Sequence, residues 1–254
     1  MPDNAKRRAA RARIEEKRAA EAAARARAQR RQRRLVGAIV AAVVVVAAVV
    51  VAIVVQNSRT ATAEDAPVPA NTADSGQVIV VGQNTAPVTI DLYEDFQCPV
   101  CENFESTTGG TLASLVSAGT VQLHYHGMAF LDTSANHKYS TRALNAAAAV
   151  VDAAGPDAFQ KFHDLLYAHQ PPEGGAGLTD DQLVGYARQA GASGAAVEKA
   201  IRDLTYGDWV KRVTDQASKD GVTGTPTVKV DGTTLDTSQL TPDGITAAVR
   251  GAQG

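Results

Sequence analysis

Glu94-Asp95-Phe96-Gln97-Cys98-Pro99-Val100-Cys101 is the stretch on which the reading of this chain turns, because its two cysteines are the only ones in 254 residues. A chain that leans on disulfides for stability normally carries several pairs, whereas here the whole sulfur inventory is one pair two residues apart. A permanent bridge across so short a loop removes little chain entropy. The pair therefore reads as a reagent for thiol-disulfide exchange. Exchange needs one sulfur ionised and reachable, with its neighbour close enough to close the ring and release the product. At the start of a helix, Cys98 would lie where unpaired N-H groups and the helix dipole favour negative charge, which lowers a thiol pKa below its free value. Cys101, one turn deeper, would be the resolving sulfur. Pro99 suits the first helical position, where its missing N-H is not needed. Each unit of pKa depression favours the reduced form by about 1.4 kcal/mol, or roughly 30 mV for a two-electron couple. Pro99 and Val100 are the residues placed to tune this balance, and since valine offers a thiolate neither hydrogen bond nor charge, a moderate oxidant is expected.

Working outward, Val78 to Val81 and Val88 to Tyr93 are short Val/Ile-rich runs joined by a turn over 82–87, and they read as two strands. Behind the cysteines, Val100, Phe104, Leu112, Leu115 and Val116 suit a helix with one buried face, kinked or interrupted at Thr107 to Gly110. Val121 to His126 alternates as a third strand, so strand, helix, strand predicts a right-handed crossover with parallel pairing. From about Ser134 to Asp220 the pattern is helical, with breaks near Gly155-Pro156, Gln170 to Gly177 and Gly191 to Gly194 and with starts at Asp157, Thr179 and Ser193. Asp231-Gly232 between two short extended runs is a hairpin signal, and Thr241-Pro242 opens a last helix that runs to Ala252.

Phe96-x-Cys98-Pro99-x-Cys101, the helical insertion and Gly221-Val222-Thr223-Gly224-Thr225-Pro226-Thr227 together resemble the DsbA-type thiol-disulfide oxidoreductases of the thioredoxin superfamily. The resemblance runs from about Val78 to the C-terminus and implies an α/β, thioredoxin-like fold with a helical insertion. It further implies a cis peptide bond at Pro226, with Pro226 against the redox pair and Thr225 offering backbone to the substrate. Two departures stand out. Val100 occupies a position where the best-known members carry histidine, and Leu92 stands six residues before Cys98, where many thioredoxin-like proteins bury an acid. Asp91, Glu94 and Asp95 are nearby. Asp95 is a candidate proton relay, or equally an exposed strand-end acid or helix cap.

Residues 1–34 carry thirteen Lys and Arg against four Asp and Glu, and the 21 residues from Leu35 to Val55 are uncharged and almost wholly aliphatic. At about 1.5 Å per residue such a helix spans roughly 30 Å, the thickness of a hydrocarbon core. The basic flank predicts a cytoplasmic N-terminus, near anionic headgroups, and a catalytic domain outside the cytoplasm at the cell membrane. A signal peptide cleaved after Ala63 is the rival, although both the apolar run and the basic segment are long for one. Residues 56–76 read as a flexible tether, leaving 77–254 as one domain with its helical insertion at about 134–220. The basic segment has neither aromatic residues nor a folded scaffold, so nucleic-acid binding is not expected.

A zinc site is not expected without a second cysteine pair. His124 and His126 share a strand face and read as a surface or partly packed pair, while His137, His163 and His169 show no repeated spacing. Glu102 after Cys101 excludes the haem-attachment motif, and no small-molecule motif points to a cofactor. The expected activity is introduction of disulfides into cysteine-containing secreted or envelope proteins. The resemblance implies reoxidation by a quinone-linked membrane partner. A reductase or isomerase using the same pair, and a redox-inert binding module, are the alternatives.

Overall fold

A computed structural model describes residues 67–254. The expected basic segment and membrane helix lie outside the described residues, and among the described residues no helix is long and apolar enough to cross a membrane. Five strands form one sheet: β1 (Ile79–Val81), β2 (Val88–Glu94), β3 (Val121–Gly127), β4 (Thr227–Val230) and β5 (Thr233–Thr234), in the spatial order β1-β3-β2-β4-β5. Helix α1 (Pro99–Ser117) joins β2 to β3, which pair in parallel with Ile90 beside Leu123 and Leu92 beside Tyr125, as the crossover reading requires. β4 runs antiparallel to β2, with Leu92 beside Val228. β2 is thus the central strand. It is covered on both sides and so carries a near-continuous apolar run, and its C-terminal end delivers the redox pair.

The first two strands are not neighbours. β1 pairs antiparallel with β3, so the chain passes from the sheet edge over β3 to reach β2. The turn at 82–87 therefore makes no hairpin. Asp231 (φ 44°) and Gly232 (φ 78°) do make one, between β4 and β5, with the left-handed backbone that two-residue hairpin turns need.

α1 is one continuous helix with no break at Thr107 to Gly110. The Thr107 hydroxyl donates to the Asn103 carbonyl (2.7 Å) and the Thr108 hydroxyl to that of Phe104 (2.7 Å). These bonds pair the side-chain polar groups inside the helix itself. The insertion consists of α2 (Tyr139–Ala168), α3 (Asp180–Ala190), α4 (Ala195–Arg202) and α5 (Gly207–Lys219), and α6 (Pro242–Ala252) closes the chain. α2 bends at Gly155 (φ 78°, ψ −176°), after which Pro156 restarts the helix, one residue before the expected Asp157. Thr179 caps α3 in a capping box with Gln182, and Thr241 caps α6. Gly194, not Ser193, precedes α4.

Ala146, Ala147, Ala148 and Ala149 are buried, and this run of small side chains lets α2 lie close to its neighbours. Asn145 ties the α4–α5 junction to α2, donating to the Ala200 and Ile201 carbonyls and accepting from the Tyr206 amide (2.8 Å). The tether reading also needs a correction at its end. The Ala70 amide donates to Asp152 Oδ1 (2.7 Å), Asn71 Nδ2 to the Val151 carbonyl (3.0 Å) and the Trp209 indole to the Gly76 carbonyl. Side-chain bonds fix this polar stretch to the domain although its composition offers no core of its own.

Candidate active site

Cys98 is the residue that precedes α1, with extended backbone (φ −76°, ψ 116°), and Pro99 takes the first helical position. The entry is fixed locally by the Cys98 amide donating to the Asp95 carbonyl (2.9 Å) and the Glu102 amide donating to the Cys98 carbonyl (3.1 Å). Gln170, just past α2, donates its Nε2 to the same Cys98 carbonyl (3.0 Å). Cys98 keeps 6 % of its surface exposed and Cys101 none. Across a groove of about 450 Å3 lined by Cys98, Pro99, Val100, Phe130, Leu131 and Thr225, the Thr225-Pro226 peptide is cis, as the resemblance implies. Val100 is 54 % exposed and Phe130 36 %, giving the rim of the groove an apolar surface. The structure thus brings Cys98, Pro99, Val100 and Thr225 to one groove.

The two sulfurs have opposite electrostatics. The Cys98 thiol is lowered to about 6, first by a hydrogen bond from Cys101; burial opposes this, and Thr225 and the Cys101 and Val100 amides add to the lowering. Thr225 presents two kinds of group to this sulfur. Its carbonyl oxygen lies 3.3 Å from Sγ and can only accept from the thiol, whereas a side-chain bond favours the thiolate. The net direction is ionisation, because the donors outnumber that one acceptor. Burial pushes the Cys101 thiol far up, reinforced by its bond to Cys98 and by the negative charge of Glu94. At neutral pH the pair is therefore a thiolate and a thiol sharing one proton-mediated contact.

Asp95 is neither an exposed strand-end acid nor a cap on α1. It is fully buried. Its Oδ1 accepts from the Ser140 hydroxyl (2.6 Å) and the Gln97 amide (2.9 Å), and its Oδ2 from the Leu131 amide (3.1 Å). Burial raises its pKa against these lowering bonds. Its carboxylate thus braces the cysteine loop against α2 and the loop after β3, while its contact with Cys101 is through its backbone amide. Gln97 extends the brace, its Oε1 accepting from Asn136 Nδ2 (2.6 Å).

Behind Cys101 lies an acid-histidine cluster that the sequence reading did not assemble. Glu94 Oε2 is 3.1 Å from His163 Nε2, and Asp164 Oδ1 is 3.2 Å from His163 Nδ1. Burial would lower the His163 pKa, but its bonds to Asp164 and Glu94 and the charge of Glu105 overcome this and raise it to about 10. Glu105 is pushed up by burial and by the adjacent Glu94. Phe96 and Tyr167 pack against the His163 ring at 5.7 and 4.8 Å between centroids. The one available signal was period-2 alternation: Glu94 falls on the same face of β2 as Ile90 and Leu92, a buried face. On the opposite face His124 and His126 are half-buried, with His126 Nε2 2.9 Å from Asp91 Oδ1 and its ring stacked on Tyr93 at 4.2 Å.

The family model Thioredoxin_4, described as thioredoxin, matches residues 74–250. The reduced crystal structure of DsbA from Mycobacterium tuberculosis is 32% identical with a TM-score of 0.62, covering 70% of this chain and 93% of that one. The probable disulfide bond formation protein D of Bacillus cereus is 28% identical over 157 residues, 60% of this chain and 69% of that protein. The serine/threonine-protein kinase PknE of Mycobacterium tuberculosis is 32% identical over 123 residues, which are 47% of this chain and 22% of the kinase. The chain thus spans about a fifth of that kinase, so the likeness is to one segment of it. With the sulfur pair at the head of α1, the cis-proline loop across the groove and these matches, the chain belongs to the thioredoxin family, among its DsbA-type thiol-disulfide oxidoreductases.

Proposed function

We propose that this protein is an extracytoplasmic oxidase that introduces disulfides into cysteine-containing secreted or envelope proteins, held at the membrane by the helix expected at Leu35 to Val55. The observation that carries this reading is the thiolate of Cys98 at the mouth of α1, set against a protonated, buried Cys101 and facing Thr225-Pro226. In the disulfide form, a substrate thiolate attacks Cys98 Sγ and the Cys98–Cys101 bond breaks. Cys101 leaves with the electron pair and takes up a proton, as its buried position favours. The second substrate thiolate then attacks the substrate sulfur of the mixed disulfide, and Cys98 departs as a thiolate. A low-pKa thiol is the better leaving group, so this geometry drives release of oxidised product. Two electrons have passed from substrate to the pair, with one proton held on Cys101 and the other left to solvent because Cys98 stays a thiolate; a membrane redox partner, quinone-linked by resemblance, removes the electrons.

Thr225 and Pro226 are the residues proposed to receive substrate backbone, and the apolar rim of Val100 and Phe130 to receive its side chains. At pH 7, with Cys98 at about 6 against an ordinary 9.0, the thiolate favours the dithiol by about 1.4 kcal/mol, or roughly 30 mV. That makes a moderate oxidant. Equilibration with glutathione tests the direction: a potential well above that of thioredoxin, at about −270 mV, together with oxidative folding of a reduced secreted substrate, is the expected result. A potential at or below that value would instead assign the pair to reduction. Failure to form any mixed disulfide would leave a binding module.

A further inference from the structure

A second cleft lies away from the sulfurs. It measures about 560 Å3, lies between α1 and α2 over the sheet, and has apolar walls that include Leu112, Val116 and Leu123 with Glu105 and Asp164 at its edge. Glu105 lines it, and one donor atom each from Glu94, Glu105 and His163 lie within 4.8 Å of one another. Glu94 Oε1 and Glu105 Oε1 are inaccessible to solvent and accept no hydrogen bond from any other residue, and Glu94 as a residue is only 6 % exposed. The two carboxyls can be satisfied only by a proton shared between them, in a place beside an imidazole nitrogen where a cation would serve as well.

We infer that Glu94, Glu105 and His163 form a binding site for one divalent transition-metal ion, Zn2+ by its donor set, which enters through the cleft between α1 and α2. Two hard carboxylates and one borderline imidazole are a mixed donor set that zinc accepts, and they leave a fourth position for water. The outer contacts fit as well. Asp164 holds His163 Nδ1 at 3.2 Å, which aims Nε2 toward the two glutamates; a carboxylate behind a ligating histidine is the usual device for fixing ring orientation at a metal. The three donors come from β2, α1 and α2, so a bound ion would tie the sheet, the catalytic helix and the insertion together. Binding would displace protons held within the cluster, and affinity therefore rises with pH.

The test of this site needs no turnover. The untagged full chain is oxidised to the Cys98–Cys101 disulfide, so that thiolates cannot bind metal, and titrated with Zn2+ by calorimetry and with Co2+ by visible spectroscopy. One equivalent should bind, with a Co2+ spectrum free of sulfur charge transfer. Glu105→Gln should abolish stoichiometric binding. Asp164→Asn, at a solvent-exposed carboxylate, should weaken it by about 10- to 100-fold. His126→Asn should leave it unchanged. His163→Asn removes a buried ring and can fail to fold, so Glu105→Gln and Asp164→Asn, both at the cleft, decide the matter. No stoichiometric binding by the unsubstituted protein would overturn the assignment. So would unchanged affinity in Glu105→Gln, or loss of binding in His126→Asn, which would put the ion on the opposite sheet face.

Discussion

Cys98 and Cys101 are the same residue at the entry to α1, one just before its first turn and one within it, and their surroundings push them in opposite senses. Cys98 collects donors at the helix mouth, so its thiol falls to about 6. Cys101, three residues on, meets the buried wall formed by β2 and α2 and the charge of Glu94, and is driven far up. A shift of three residues thus separates a nucleophile from a reserve thiol, with no third catalytic side chain required. The contrast teaches that this chemistry belongs to position along the helix and depth below the surface, since the intervening Pro99 and Val100 carry no charge or side-chain donor.

Removing either sulfur should break the comparison with the largest effect. Cys98→Ser should reduce oxidation of a reduced substrate protein to the uncatalysed background and abolish mixed disulfides altogether. Cys101→Ala should also stop turnover, but mixed disulfides through Cys98 should accumulate and be visible on non-reducing gels. If the two variants trapped substrate equally, the asymmetry of the pair would be wrong.

The pH dependence sharpens the same contrast. The folded pKa of Cys98 is below its ordinary value, so its contribution to the stability of the dithiol form is fully present above about 9 and is lost as pH falls through about 6. Between these values the dithiol form should gain about 1.4 kcal/mol per pH unit, about 4 kcal/mol in all. The disulfide form has no thiolate and should not show that rise. Cys101 stays a thiol in the folded dithiol, so it opposes this gain only as the pH nears its ordinary 9.0, where it begins to ionise in the unfolded chain. Denaturant unfolding of the two redox forms across pH 5 to 9 measures the difference, and the rate of Cys98 alkylation should show a midpoint near pH 6.

Asp95 marks the boundary between chemistry and support. Asp95→Ala strands the Ser140 hydroxyl and the Gln97 and Leu131 amides, and should cost about 3 kcal/mol in unfolding free energy. The alkylation midpoint of Cys98 should stay within a few tenths of a unit, provided the fold is intact. A large shift in that midpoint with little loss of stability would return Asp95 to the role of relay.

What could be read from the sequence was local. The Cys98-Pro99 helix entry, the Thr179 and Thr241 caps and the Asp231-Gly232 hairpin depend on residues within a few positions of one another, and each appears where the side chains require it. The α1 crossover was legible because a helix between two strands leaves parallel pairing as the short solution. The partnership of β1 with β3 depends on the whole sheet, and the turn after β1 carried no sign of it. The same limit hid the site's surroundings. Glu94 meets His163 across 69 residues and Gln170 reaches the Cys98 carbonyl across 72, and His163, taken alone, was one histidine on a helix. The stretch before β1 looked like a tether by composition, and the bonds that tie its backbone to the insertion come from Asp152 and Trp209, far along the chain.

Val100 offers the smallest and most discriminating change. It is the exposed residue between the sulfurs, and its amide already points to Cys98 while its side chain gives nothing. Val100→His would add a donor, and at lower pH a positive charge, one residue from the thiolate, at a surface position where packing is hardly disturbed. The Cys98 midpoint should drop by about one unit and the disulfide should become about 30 mV more oxidising above that midpoint, while Cys101, buried on the far side of the turn, should remain a thiol. Measuring both the alkylation midpoint and the glutathione equilibrium separates the two effects: a potential that moves without the midpoint would mean that the disulfide form, and not the thiolate, had been altered.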